Sequence, residues 1–187
     1  MKRLIIGLSG ADGICIGVRL LHILHSLPDI ETHLVVTRAA EHNLMLEGCP
    51  PLETLRDKAS FCYGIDEMTA PIASGSFVTD GMMIVPCSMK SLSALANGYT
   101  DNLLQRAADV CLKEGRKVVL VPREMPLGRV HLRNMLTASE LGCTLIPPVL
   151  TFYNKPQSVI DHIDHILAKA LLSLGITPPN FRPWHGC

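Results

Sequence analysis

Two rhythms of hydrophobic residues alternate along this chain. Short continuous apolar runs include Leu4-Ile5-Ile6, Leu34-Val35-Val36, Met82-Met83-Ile84-Val85 and Val118-Val119-Leu120-Val121. Runs of this kind are strands buried on both faces, as in parallel sheets. Between them lie stretches in which apolar residues recur every three or four positions, the mark of a helix with one buried stripe. The pattern predicts helices over 14–25, 39–46, 51–59, 88–96, 102–113, 131–141 and 158–174, with Asp101 capping the fifth and Gly142 ending the sixth. Further strands are predicted over 31–37, 81–86, 118–122 and 144–148. Residues 61–68 read as irregular and 70–77 as a loop of small residues, open to a planar ligand. Strand and helix alternation gives an α/β fold: a Rossmann-like, doubly wound parallel sheet in a three-layer αβα arrangement. One domain over 1–187 is expected, with an extended tail from about residue 176 that wraps a neighbour.

Composition adds a second subunit to this picture. Apolar residues make up 48% and charged residues 18%, below the roughly 25% charged that is usual for soluble domains. The surplus apolar surface predicts burial between copies, so an obligate homo-oligomer. Lys and Arg together number 17, as do Asp and Glu, so neither nucleic acid nor an anionic membrane is an expected partner. No apolar run approaches the roughly 20 residues of a membrane span, and the N-terminal run breaks too early, at Gly7, for a signal peptide. A cytoplasmic protein is expected. The 7 cysteines are scattered, with no C-x-x-C pair, and read as buried thiols.

The candidate chemistry lies where strands meet helices. Gly7, Gly10 and Gly13 form a G-x-x-G-x-x-G turn between the first strand and the first helix. Such a turn offers backbone N–H groups to a phosphate or another anion, with glycine allowing positive φ or close approach of a ligand. Thr37-Arg38 follows the second strand where an NAD-binding fold wants an acidic residue, which argues against NAD. Ser88 opens a second strand-to-helix junction, as a cap alone or with free N–H groups beside it that favour an acceptor-rich ligand. Arg123 stands at the carboxyl end of a strand, either gripping a phosphate or pairing with Glu124 on the surface. Glu47 reads as a solvated carboxylate at a helix end, and Lys113 as a cation at a helix C-terminus. His22 with His25, and His162 with His165, share an i, i+3 spacing on polar faces, but no H-E-x-x-H pattern supports a metal.

These stretches together resemble the UbiX-like flavin prenyltransferases, including the small subunits of phenolic acid decarboxylase systems. The resemblance runs nearly end to end. It is carried by residues 7–21, Ala73-Ser74-Gly75-Ser76, Pro86-Cys87-Ser88-Met89-Lys90, Arg106-Ala107-Ala108-Asp109-Val110 with Leu112-Lys113-Glu114, Val121-Pro122-Arg123-Glu124-Met125-Pro126-Leu127, and Phe152-Tyr153. It implies a flavoprotein that assembles as a dodecamer built of trimers. Such an enzyme joins a dimethylallyl group from a dimethylallyl phosphate to reduced FMN at N5 and C6, without a metal. The product serves a separate UbiD-like decarboxylase. By the same resemblance FMN contacts Gly10, Ala11, Asp12, Thr37, Ser88, Met89, Lys90, Ser91 and Arg123. The prenyl phosphate meets Lys113, Arg123, Tyr153 and Lys169, and Glu47 matches the acid–base carboxylate. Asp12 departs from the Ser or Thr usual at its position, where a hydroxyl acts with Glu47 in proton transfer. A carboxylate there sets negative charge beside the incoming phosphate, which is expected to weaken its binding or to raise the Glu47 pKa. Two alternatives stand beside this reading. One is a subunit that carries FMN without catalysis. The other is a flavin-dependent cysteine decarboxylase, although its Pro-Ala-Ser-Ala-Asn-Thr stretch is absent from this sequence.

Overall fold

The computed structural model describes residues 1–178 together with residues 181, 183, 184 and 186. Of the predicted tail, residues 179, 180, 182, 185 and 187, Cys187 among them, lie outside the described residues.

Six parallel strands form one sheet in the order β3-β2-β1-β4-β5-β6. They are β1 (Lys2–Leu8), β2 (Ile30–Val36), β3 (Phe61–Tyr63), β4 (Gly81–Cys87), β5 (Lys117–Pro122) and β6 (Cys143–Leu145). The helices are α1 (Ile14–His25), α2 (Arg38–Leu46), α3 (Leu52–Arg56), α4 (Met89–Ala96), α5 (Leu103–Lys113), α6 (Arg129–Glu140) and α7 (Val159–Ser173). Alternate strand residues point to opposite faces, which gives two cores. Leu4, Ile6, Met83, Val85, Val119 and Val121 pack with α1 and α7. Ile5, Met82, Ile84, Val118 and Leu120 pack with α4 and α5 on the other side. Every residue of β4, the strand nearest the middle, is buried. The predicted α/β sheet is therefore the one observed.

Several local expectations change. Residues 61–63 are not irregular: they form an edge strand on β2, with His33 opposite Phe61. The cap of α5 is Asn102, whose Oδ1 accepts the Gln105 amide at 3.1 Å; Asp101 instead accepts from the Asn102 side chain at 3.0 Å. α3 is shorter than predicted, and residues 71–73 make one 3-10 turn within the expected loop. β6 stops before Pro147, because proline cannot donate to the ladder. Among the cysteines, Cys87, Cys111 and Cys143 are buried, but Cys15 is exposed on the first turn of α1. His165 is also misplaced by the helical-wheel reading, since it is buried and packs edge-on against Tyr153. Ala138 is the buried residue of α6, whose Val130, Leu132 and Leu136 are exposed. Among the described residues no helix is long and apolar enough to cross a membrane.

Candidate functional site

The chain leaves β1 toward β2 and β3 on one side, then returns to build β4, β5 and β6 on the other. That reversal opens a crevice beyond the carboxyl ends of β1 and β4, the place where open α/β sheets take ligands. Its two walls are the β1–α1 turn, residues 9–13, and the β4–α4 junction at Ser88.

Ser9 stitches the walls together. It is fully buried, donates from Oγ to the Pro86 carbonyl at 2.9 Å and accepts the Ser88 amide at 2.8 Å. Gly10 of the turn and Gly17 of α1 answer to packing more than to a ligand. A Cβ on Gly10 would lie 2.3 Å from the Ala39 Cβ, and one on Gly17 would lie 2.4 Å from the Val85 carbonyl oxygen. Gly13, at φ 85°, is the residue whose backbone demands glycine. Asn43 steadies the turn by donating to the Ala11 carbonyl at 3.0 Å.

The amides at the start of α1 are not open to a phosphate. Glu47, at the end of α2, accepts from Gly13 at 2.9 Å and Ile14 at 3.2 Å through Oε1, and from Cys15 at 3.3 Å through Oε2. It is half-buried, so it is not the solvated carboxylate that its helix-end position suggested. A carboxylate on a helix N-terminus is stabilised by both hydrogen bonds and the dipole. Partial desolvation of its sulfur, then the Glu47 carboxylate, pushes the Cys15 thiol upward, although the residue as a whole is exposed.

Arg123 does not pair with Glu124. Its guanidinium forms an ion pair with Asp12, while Glu124 accepts from the Met125 amide at 3.0 Å. The Arg123 amide is fixed on the Cys87 carbonyl at 3.1 Å. Thr37 caps α2 by accepting the Ala40 amide at 3.2 Å, and its own amide reaches the Leu8 carbonyl at 3.0 Å. Ser88 caps α4 in the same way, accepting from the Ser91 amide at 3.2 Å, with the Ser91 hydroxyl 3.1 Å away. Ser91 is buried, Met89 half-buried and Lys90 exposed.

A single chain thus brings Gly10, Ala11, Asp12, Thr37, Glu47, Ser88, Met89, Lys90, Ser91 and Arg123 to one edge of the sheet. It does not bring Lys113 there. Lys113 ends α5, next to the start of β5, whereas Arg123 follows the end of that strand. β5 spans six residues, which separates the two by about 20 Å. The small-residue loop 73–76 lies at the Lys113 edge too. Its Ala73 and Gly75 carbonyls accept from Arg106 at 3.1 Å and Arg116 at 2.5 Å, and Gly75 packs on Glu114.

Tyr153 and Lys169 form a third group, beside α7. The Tyr153 hydroxyl lies 3.4 Å from His165 Nε2, and Lys169 is exposed one turn further along. Burial, then Lys169, holds the His165 imidazole below its usual pKa. A cavity of about 840 Å³ adjoins this group, between α1, α7 and residues 154–157. Arg19, His22, Lys155 and His165 line it, away from the crevice. Sequence reasoning did not single out Ser9, Asn43 or a role for His165 at Tyr153.

The geometry has close counterparts. A family model described as flavoprotein matches residues 1–171. A probable UbiX-like flavin prenyltransferase of Sedimentibacter hydroxybenzoicus is 52% identical over 184 residues, covering 98% of this chain and 97% of that protein. The crystal structure of a dodecameric FMN-dependent UbiX-like decarboxylase from Escherichia coli O157:H7 superimposes with a TM-score of 0.96 at 46% identity, over 99% of this chain and 100% of that one. AnUbiX (PadA1), solved in complex with FMN and dimethylallyl pyrophosphate, also gives a TM-score of 0.96, at 41% identity over 100% of this chain and 98% of that one.

Proposed function

The chain belongs to the UbiX-like flavin prenyltransferases, within the flavoprotein family, and on that premise we propose that it makes prenylated FMN. It is a transferase that joins the dimethylallyl group of a dimethylallyl phosphate to reduced FMN, at N5 and C6. The product is handed to a separate UbiD-like aromatic acid decarboxylase. One observation carries the reading: the residues assigned to FMN converge on the crevice where the strand order reverses.

The residues there fit FMN. Thr37 spends an oxygen lone pair on a capping amide, which leaves its hydroxyl proton to donate to an acceptor-rich ligand, and Ser88, which donates to the Ser91 hydroxyl, leaves the Ser91 proton for the same use. Arg123 supplies a fork of N–H donors for a phosphate. Reduced FMN, when bound, supplies the electron-rich nucleophile. Glu47, held by three backbone amides, offers an oriented carboxylate to accept or return a proton at the flavin. Arg123, Lys113 and Lys169 neutralise the phosphate as it leaves, and Tyr153 donates a hydrogen bond or a proton to its oxygen.

Lys113 reaches Arg123 only from another copy of the chain, which supports a homo-oligomer with shared sites. We take that assembly to be the dodecamer, one domain of 1–187 per copy, in the cytoplasm. The exposed apolar residues of α6 are the surface that such an assembly buries.

The test is the mass of the flavin after anaerobic incubation with reduced FMN and a dimethylallyl phosphate. A gain of one five-carbon unit is expected. Tightly bound but unmodified FMN, with monophosphate and diphosphate donors both tried, would overturn the transferase in favour of an FMN-carrying subunit.

A further inference from the structure

We propose that Asp12 is a specificity-determining residue, a charge filter clasped to Arg123 that favours a monophosphate donor over a diphosphate. The proposal rests on the prenyltransferase reading above and deepens it at the same site.

The clasp crosses the crevice. In the sheet order β1, β4 and β5 are successive neighbours. Asp12 sits in the turn after β1, and Arg123 follows β5. Their ion pair therefore spans two strand spacings, about 10 Å, over the end of β4. Arg123 has a fixed base, because its amide is tied to the Cys87 carbonyl at 3.1 Å. Asp12 has no competing call from α1, since the amides of Gly13, Ile14 and Cys15 are taken by Glu47. Its carboxylate thus holds, on Arg123, the place that a donor phosphate needs.

The clasp opens at small cost. The two side chains are 35% (Arg123) and 67% (Asp12) exposed, and ion pairs so open to water contribute little stability. A phosphate can displace the carboxylate from the guanidinium. It cannot send it far, because Asp12 is anchored in the turn. The displaced carboxylate stays within a few ångströms of the bound phosphate and repels it in proportion to the charge it carries. Glu47, from the end of α2, sets a second negative charge against the same turn. The same edge of the sheet carries Arg123, paired with Asp12, and the exposed Lys90 and Glu124. A diphosphate brings about one negative charge more than a monophosphate at neutral pH, and Asp12 penalises that extra charge most. A serine or threonine at this position would hold no such charge.

Anion titration of the FMN-loaded protein decides the matter without turnover. Inorganic phosphate and pyrophosphate are titrated calorimetrically into the native chain, Asp12→Ser and Asp12→Asn. Both variants are expected to gain affinity for pyrophosphate about tenfold more than for phosphate, with the difference shrinking at high salt. In an Arg123→Gln background the difference should largely vanish. In turnover, the native chain should have the higher kcat/KM with dimethylallyl monophosphate, and Asp12→Asn should narrow the preference. Equal gains for both anions, no gain, or weaker binding in the variants would overturn the filter. Failure of every variant to modify FMN would instead overturn the prenyltransferase reading, and the titration would still decide the role of Asp12.

Discussion

On the proposed reading one side chain, Glu47, serves fold and chemistry together. It closes the N-terminus of α1 and stands beside Asp12 at the crevice. Glu47→Gln keeps the shape and loses the charge. The helix should lose about 1 kcal/mol of stabilisation, measurable as a lower thermal midpoint. Prenyl transfer should slow about 100-fold or more, while FMN stays bound. A variant with full activity would remove Glu47 from the proton transfer. His33 makes a second prediction at this scale, well away from the crevice. It is buried between Phe61, Tyr63 and Phe77, with Nε2 2.9 Å from Glu31 and Nδ1 2.9 Å from the Tyr63 hydroxyl. Burial holds its pKa below the ordinary histidine value, against the opposing pull of Glu31. A base depressed in the fold binds fewer protons there than in the unfolded chain, so stability rises with pH through that window and is lost on acidification. His165 adds the same sign. Glu31, lowered chiefly by Arg3, loses its contribution only at more acid pH. Urea midpoints should therefore fall between about pH 7.5 and pH 5.5, and His33→Gln should flatten that slope.

At the scale of elements, the contact between α1 and β4 sets the crevice. Gly17 lets the helix lie on the strand, since a Cβ there would meet the Val85 carbonyl at 2.4 Å and Leu8 Cδ2 at 2.5 Å. Backbone cannot give way as a flexible side chain can. Gly17→Ala should destabilise the chain by about 1–3 kcal/mol and weaken FMN binding by lifting the turn that bears Gly10, Ala11 and Asp12. A flavin-binding titration with a denaturation curve tests both effects, and unchanged affinity would separate the packing from the site. This scale was also the most legible in the sequence. The helix over 14–25 and the buried strand from Gly81 follow from apolar spacing alone, because burial on the sheet leaves a strong periodic mark. β3 left no such mark, being three residues, none of them fully buried, whose side-chain partner His33 lies some 30 positions away. The partners of Ser9 lie 77 and 79 residues away, and those of Glu47 32 to 34 away. Local patterns carry no trace of such contacts. The glycine turn was read correctly as a turn, but its amides face a carboxylate that only the folded chain brings near.

For the whole molecule, the proposed role of Lys113 would make assembly a matter of chemistry as well as stability. Lys113 and Arg123 stand at opposite ends of β5, so a site that uses both takes them from different copies. Lys113→Ala and Arg123→Ala should each be nearly inactive as pure assemblies. Unfolded and reassembled together, they should recover activity, because some sites then draw Arg123 from one copy and Lys113 from the other. Random pairing in an equal mixture leaves about a quarter of the sites with both residues intact. Activity near that fraction of the native level, with FMN content unchanged, would establish shared sites. The native chain taken through the same unfolding gives the reference for losses in reassembly. If it recovers and the mixture does not, Lys113 acts on no neighbour's site, and Arg123 must find its phosphate partners within its own chain.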